Sequence, residues 1–199
     1  ALAAGGKARQ AAPTLKARGD VFRSYPRSLK MKVGMQIAAA ALAVGDLFMA
    51  NGYLQVLAEE KPLDAEIDQL ALIEGKVQQM AGDFEAAVAA WEAVEKGTHR
   101  PSIAEAIVLR AELLLLRKKI EPKDAIAELE KLRFTWRGGE FEFRLLRRLG
   151  QLYMSIGDYR NGLRTLQEAV TYFRELPESA KVTEEMAKAF DDLYLKDAA

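Results

Sequence analysis

The 199-residue chain is half hydrophobic, balances 29 basic residues against 29 acidic ones, and contains no cysteine. That length fits one ordinary domain or a short helical array with a sizeable core, and a net charge of zero gives no global argument for nucleic acid or an acidic partner. The lack of cysteine excludes disulfides, thiolate metal sites and cysteine nucleophiles, and no apolar run reaches membrane-spanning length, so membrane insertion is not expected.

Charge is unevenly spread. Residues 1–30 carry Lys7, Arg9, Lys16, Arg18, Arg23, Arg27 and Lys30 against Asp20 alone, so the rest is correspondingly acidic. Residues 1–25 are expected to be a basic lead-in, either flexible or, over Leu15–Phe22, the remnant of a preceding helix. No aromatics are interleaved with these basic residues, so a solvated segment is expected rather than a nucleic-acid site. The chain begins at Ala1 without a methionine, so a processed product or a piece excised from a longer protein is expected, the second being favoured.

From Pro26 the pattern predicts paired helices. The first pair covers 26–44 and 46–60, the second 63–81 and 83–95, the third 102–119 and 122–134, and the fourth 140–156 and 158–176. A terminal helix follows over 179–195. Prolines fall at helix starts, where the missing N–H has no intrahelical partner to lose. Glycines fall at helix ends. No segment alternates like a strand.

The pairs are copies of one unit. Gly45-Asp46-Leu47, Gly82-Asp83-Phe84 and Gly157-Asp158-Tyr159 share one pattern, and small residues recur at Ala50, Ala87, Ala125 and Gly162, spaced 37, 38 and 37 apart. A fixed period of this size marks a helical repeat array. The third unit lacks the Gly-Asp.

The consensus positions carry a resemblance to the tetratricopeptide family, whose repeat is about 34 residues long. Counting from Asp68 puts Gly75 at position 8, Ala87 at 20 and Trp91 at 24. Counting from Phe143 puts Leu146 at 4, Leu149 at 7, Gly150 at 8, Tyr153 at 11, Leu166 at 24 and Ala169 at 27. Counting from Met31 puts Ile37, Ala38, Ala50 and Pro62 in register. The unit near Ala106 keeps Ala125 and Leu129 but has Leu113 at position 8, where a looser helix contact is expected. The resemblance implies an all-α, right-handed superhelical solenoid of four helix pairs plus a terminal helix, in units of 26–62, 63–101, 102–138 and 139–177, with the last helix at 179–195. The stretch from Leu132 to Gly139, with Leu145–Arg160 and Met186–Leu195, is also similar to long alphaproteobacterial envelope proteins. That likeness implies the periplasm or cell envelope, with the cytoplasm as the other compartment.

Enzyme chemistry is not expected. His99 is the only histidine and reads as a solvated loop imidazole. It cannot build a metal site without other strong ligands. Glu59-Glu60, Glu184-Glu185 and Asp191-Asp192 are adjacent pairs that point apart on a helix, so they are not acid/base pairs. Gly5-Gly6 and Gly138-Gly139 lack phosphate-loop spacing. No cofactor is implied. Trp91, Phe84, Tyr153 and Tyr159 are expected in the core. Trp136 reads as a loop residue pinned by its aromatic neighbours or, alternatively, as an exposed anchor for a partner.

By the same resemblance, positions 2, 5, 9 and 12 of each first helix line a concave face. They are Lys32, Met35, Ala39 and Leu42; Gln69, Leu72, Lys76 and Gln79; Ile107, Arg110, Leu114 and Arg117; and Arg144, Arg147, Gln151 and Met154. None is acidic. The expected binding groove is therefore Lys76, Gln79, Arg110, Leu114, Arg117, Arg144, Arg147 and Gln151, suited to an acidic, partly apolar protein or peptide through arginine forks. The family's chaperone-tail clamp needs asparagines that this face lacks. The expected function is a non-catalytic protein-binding scaffold. The alternatives are a structural spacer, with these arginines paired to acids such as Glu112 or Glu142, and a homo-oligomer formed through the exposed face of the terminal helix.

Overall fold

The computed structural model describes residues 19–196, which are helical with no strand among them. The helices are α1 (Gly19–Arg23), α2 (Arg27–Ala43), α3 (Leu47–Glu59), α4 (Asp64–Ala81), α5 (Phe84–Glu95), α6 (Arg100–Leu116), α7 (Pro122–Thr135), α8 (Gly139–Ser155), α9 (Tyr159–Tyr172) and α10 (Ser179–Lys196). The chain divides into two compact units, the first ending at Leu113 and the second beginning at Leu114.

The recurring Gly-Asp pair builds one kind of turn. Gly82 takes a left-handed φ of 88°, a conformation that a side chain resists. The Asp83 N–H then reaches back to the Gln78 carbonyl at 2.9 Å, satisfying an acceptor at the end of α4. The Asp83 carboxylate accepts from the Ala86 N–H at 3.0 Å and so caps α5. Asp46 and Asp158 cap α3 and α9 in the same way, through the N–H groups of Met49 and Asn161.

In the first unit, small residues let these pairs close. Ala38 of α2 and Ala50 of α3 are both fully buried. A methyl group at Gly75 in α4 would lie 2.7 Å from Trp91 Cδ1 of α5, so only glycine admits the indole. The buried indole N–H donates to the Leu72 carbonyl at 3.3 Å. Trp91, Ala87 and Val94 then pack with Ala106 and Leu113 of α6. Residues 1–18 of the expected lead-in lie outside the described residues. Its last part is packed: Phe22 of α1 is buried with Met31, Ile37 and Leu57, and its ring meets Tyr53 edge-on at 4.9 Å.

In the second unit, α8 and α9 approach backbone to backbone. A Cβ at Gly150 would meet Leu166 at 2.6 Å and the Gly162 carbonyl at 3.1 Å. Phe143, Leu146, Leu166 and Ala169 form the core, completed by Val182 of α10.

Three details depart from the sequence reading. Helix α6 runs from Arg100 to Leu116 rather than from 102 to 119, because Lys118 turns left-handed at φ 54° and ends it. Helix α9 stops at Tyr172 rather than 176. Phe173 leaves helical geometry, and its carbonyl accepts from the Ser179 hydroxyl. Tyr159, expected in the core, opens α9 with 37% of its surface exposed, whereas Trp91 is fully buried and Phe84 and Tyr153 are half-buried.

Candidate functional surface

The groove positions lie on α4, α6 and α8, and each unit carries its own set. In the first unit Lys76 is half-buried and its ammonium is 3.4 Å from Glu105 of α6. Arg110 forms a fork on Glu95, the last residue of α5, with Nε at 2.5 Å and Nη2 at 3.3 Å. Gln79 is half-buried on α4. One side of the proposed basic face is thus already met by carboxylates from neighbouring helices.

In the second unit the equivalent grip is made on α10. Arg147 places both Nε and Nη2 on the Glu185 carboxylate, and Gln151, one turn on, donates to it at 3.1 Å. The Arg147 bond holds the Glu185 carboxyl below its ordinary range, against the opposing effect of burial. Reciprocally, Glu185 raises Arg147. Arg144, a turn before Arg147, is exposed, and its guanidinium carbon lies 5.7 Å from the centroid of the Phe141 ring. Leu114 is half-buried and Arg117 is exposed.

Of the acids expected from sequence to meet these bases, Glu142 meets Arg137 instead. Glu142 is buried and serves the loop before α8, accepting from the Gly138 N–H and from Arg137 at 3.1 Å. That bond and an edge-to-face contact between Trp136 and Phe141 at 5.3 Å pin the loop onto α8. Phe134, just before it, is 75% exposed. The partners Glu105 and Glu185 come from the first helix of the next pair, and Arg27 of α2 likewise pairs with Glu66 of α4. A signal was present in the sequence: a carboxylate follows Arg27 by 39 residues and Arg147 by 38, about one repeat.

His99 is not a solvated loop imidazole. It is half-buried, with Nε2 3.0 Å from the Gln69 side-chain amide and Nδ1 2.8 Å from the Ser102 hydroxyl, while the Ser102 N–H donates to Nδ1. Buried Asp68 accepts the N–H groups of Thr98 and His99 at 2.6 and 2.7 Å. The imidazole belongs to a polar joint between α4 and the start of α6, because the four-residue linker folds back on α4. No group of three or more His, Asp and Glu residues could hold a metal ion among the described residues. None of the described helices is long and apolar enough to cross a membrane.

No family model matches the sequence, and no curated protein matches it. The chain is similar in structure to a solved MamA RS-1 ArsTM double mutant at 21% identity. That likeness covers 85% of this chain and 97% of the other, with a TM-score of 0.50. It is also similar to the TPR2AB domain in the pHSP90 complex of yeast Sti1, at 22% identity over 94% of this chain and 79% of that one, with a TM-score of 0.47. With the Gly-Asp turns and close small-residue contacts, the first of these likenesses places the fold among tetratricopeptide-type arrays of helix pairs.

Proposed function

We propose that this chain is a non-catalytic protein-binding scaffold whose first helices take an acidic, partly apolar peptide segment. The observation that carries the reading is the grip on Glu185: Arg147 and Gln151, two groove positions of α8, converge on one carboxylate. Donors arranged to hold a glutamate from a neighbouring helix can hold one from a partner, and Arg144 extends the same face by a turn. Lys76, Gln79 and Arg110 form the corresponding patch of the first unit, and Leu114 and Arg117 add to that of the second. The tetratricopeptide-type fold supports the reading because stacked helix pairs present such faces. The resemblance to envelope proteins makes the periplasm the compartment in which to seek the partner.

A fluorescent peptide alternating glutamate and leucine tests this by anisotropy, beside its glutamine analogue. The acidic peptide is expected to bind, more weakly as salt rises, and Arg144→Glu with Arg147→Glu is expected to abolish binding with helicity unchanged. Equal binding by that double variant would remove the groove assignment.

A second reading, a structural spacer, has its own observation. The pairs Arg27–Glu66, Lys76–Glu105 and Arg147–Glu185 each tie one first helix to the next. Partly exposed pairs contribute roughly 0–1 kcal/mol each, so they would set orientation more than stability. A spacer would bind neither peptide.

A further inference from the structure

Helix α10 is held to the rest of the unit through one buried side. Ser179 and Val182 are buried, Met186 packs on the cluster around Phe143 and Leu166, and Glu185 is held by Arg147 and Gln151. On the opposite side Ala180, Thr183, Glu184, Ala187, Phe190 and Asp191 are all exposed. At 3.6 residues per turn these six share one stripe centred on Ala187.

Ala187 has a place in the repeat. It follows Gly150 by 37 residues, as Gly75 follows Ala38. Ala38, Gly75 and Gly150 are each buried beneath the antiparallel helix that completes the pair, and that helix brings a small residue of its own: Ala50, Ala87 or Gly162. Helix α10 therefore presents one half of a contact that the fold makes elsewhere, and in the first pair both of these positions, Ala38 and Ala50, are fully buried alanines.

We propose that a second copy of this chain supplies the other half, through a twofold antiparallel pairing of α10 with its mate centred on Ala187. A twofold axis there sets Ala187 against the partner's Ala187, small residue facing small residue as Gly150 faces Gly162 between α8 and α9. With a rise of about 1.5 Å per residue, Phe190 falls level with Thr183 and Glu184 of the other copy. Lys181 comes within about 3 Å, along the axis, of the other copy's Asp191 and Asp192, and Glu184 within about 3 Å of its Lys188. All five charged side chains lie on the same flank of the stripe, so the antiparallel arrangement brings the basic start of one helix to the acidic end of the other. One helix face is small for an interface, which makes the dimer weak and reversible. By the same register Lys181, Glu184, Lys188 and Asp191 continue onto α10 the positions held by Arg144, Arg147, Gln151 and Met154 on α8, but none of them is among the groove residues assigned above, so failure of this pairing would leave the peptide-binding reading untouched.

Sedimentation equilibrium of the full chain over a wide concentration range tests the pairing. The mass is expected to rise from monomer towards dimer, and Ala187→Arg to hold it at monomer, with circular dichroism unchanged because the site is exposed. Lys181→Glu breaks two symmetric contacts and is expected to weaken dimerisation by about five- to tenfold. Adding Asp191→Lys and Asp192→Lys should restore it. A monomeric mass at every concentration, association indifferent to Ala187→Arg, or no recovery in the charge swap would each overturn the proposal. The first of these is the outcome expected if some other helix covers the face.

Discussion

The turn that closes α4 and the turn that closes α6 make the same backbone hydrogen bond with different residues. At the first, Gly82 supplies the left-handed conformation and Asp83 both closes α4 and caps α5. At the second, Lys118 is left-handed, the Lys119 N–H reaches the Leu114 carbonyl at 2.8 Å, and the next helix starts later with Pro122. There Asp124 accepts from the Glu121 N–H at 3.1 Å in place of an aspartate cap. The turn is a requirement of backbone geometry, and Gly-Asp is its unstrained solution. The packing differs too. Gly75 gives α4 a notch for Trp91, whereas the equivalent residue of α6, Leu113, is buried in the first unit's own core. The division between the compact units falls directly after that leucine.

The largest break of this contrast should come from the notch. Trp91→Ala empties a fully buried site and is expected to cost about 3–5 kcal/mol, read as a lower denaturant midpoint. Ala87→Leu overfills the same contact and should cost about 1–3 kcal/mol; an unchanged melting curve would mean that this register is wrong. The turns themselves predict opposite signs. Gly82→Ala forces a side chain into left-handed backbone and should lose about 1–2 kcal/mol, while Lys118→Gly relieves such strain and should gain up to about 1 kcal/mol. Loss at both sites would show that Lys118 is held for another reason. Asp83→Ala should cost about 1 kcal/mol through the lost cap.

The smallest effect is confined to alkaline solution. Burial first, and then the hydrogen bond to Glu130, push the Tyr153 hydroxyl from 10.0 up to about 12. A group whose pKa is raised by folding contributes stability that is complete below its unfolded value and lost as pH rises through the folded one. Stability should therefore fall between pH 10.0 and about 12, and Tyr153→Phe should flatten that part of the profile. Parallel alkaline profiles for both proteins would assign the loss to other groups.

Much of the fold was legible because its signals are local. A glycine that must turn left-handed and an aspartate that must cap the next three residues leave their mark within a few positions, so the repeat and its helix pairs could be read directly. The limits of α6 and α9 could not, because they fall at a left-handed lysine, Lys118, and at Phe173, neither of them a residue type that marks a helix end. The groove was legible by half. The bases follow helical spacing, but the acids that meet them are 15 to 38 residues away on other helices. His99 was misread for the same reason: only the fold brings Gln69 and Asp68 to its linker.

From residue order alone came the helix pairs, their register, and the absence of any acidic residue from the sixteen groove positions, since each depends on spacing and side-chain size within one element. Tertiary structure alone decided that Lys76, Arg110 and Arg147 are met by Glu105, Glu95 and Glu185, and that Leu113 belongs to the first unit's core. The difference is physical. A turn or a cap is set by covalent neighbours, whereas an ion pair or a core contact depends on which helices packing brings together.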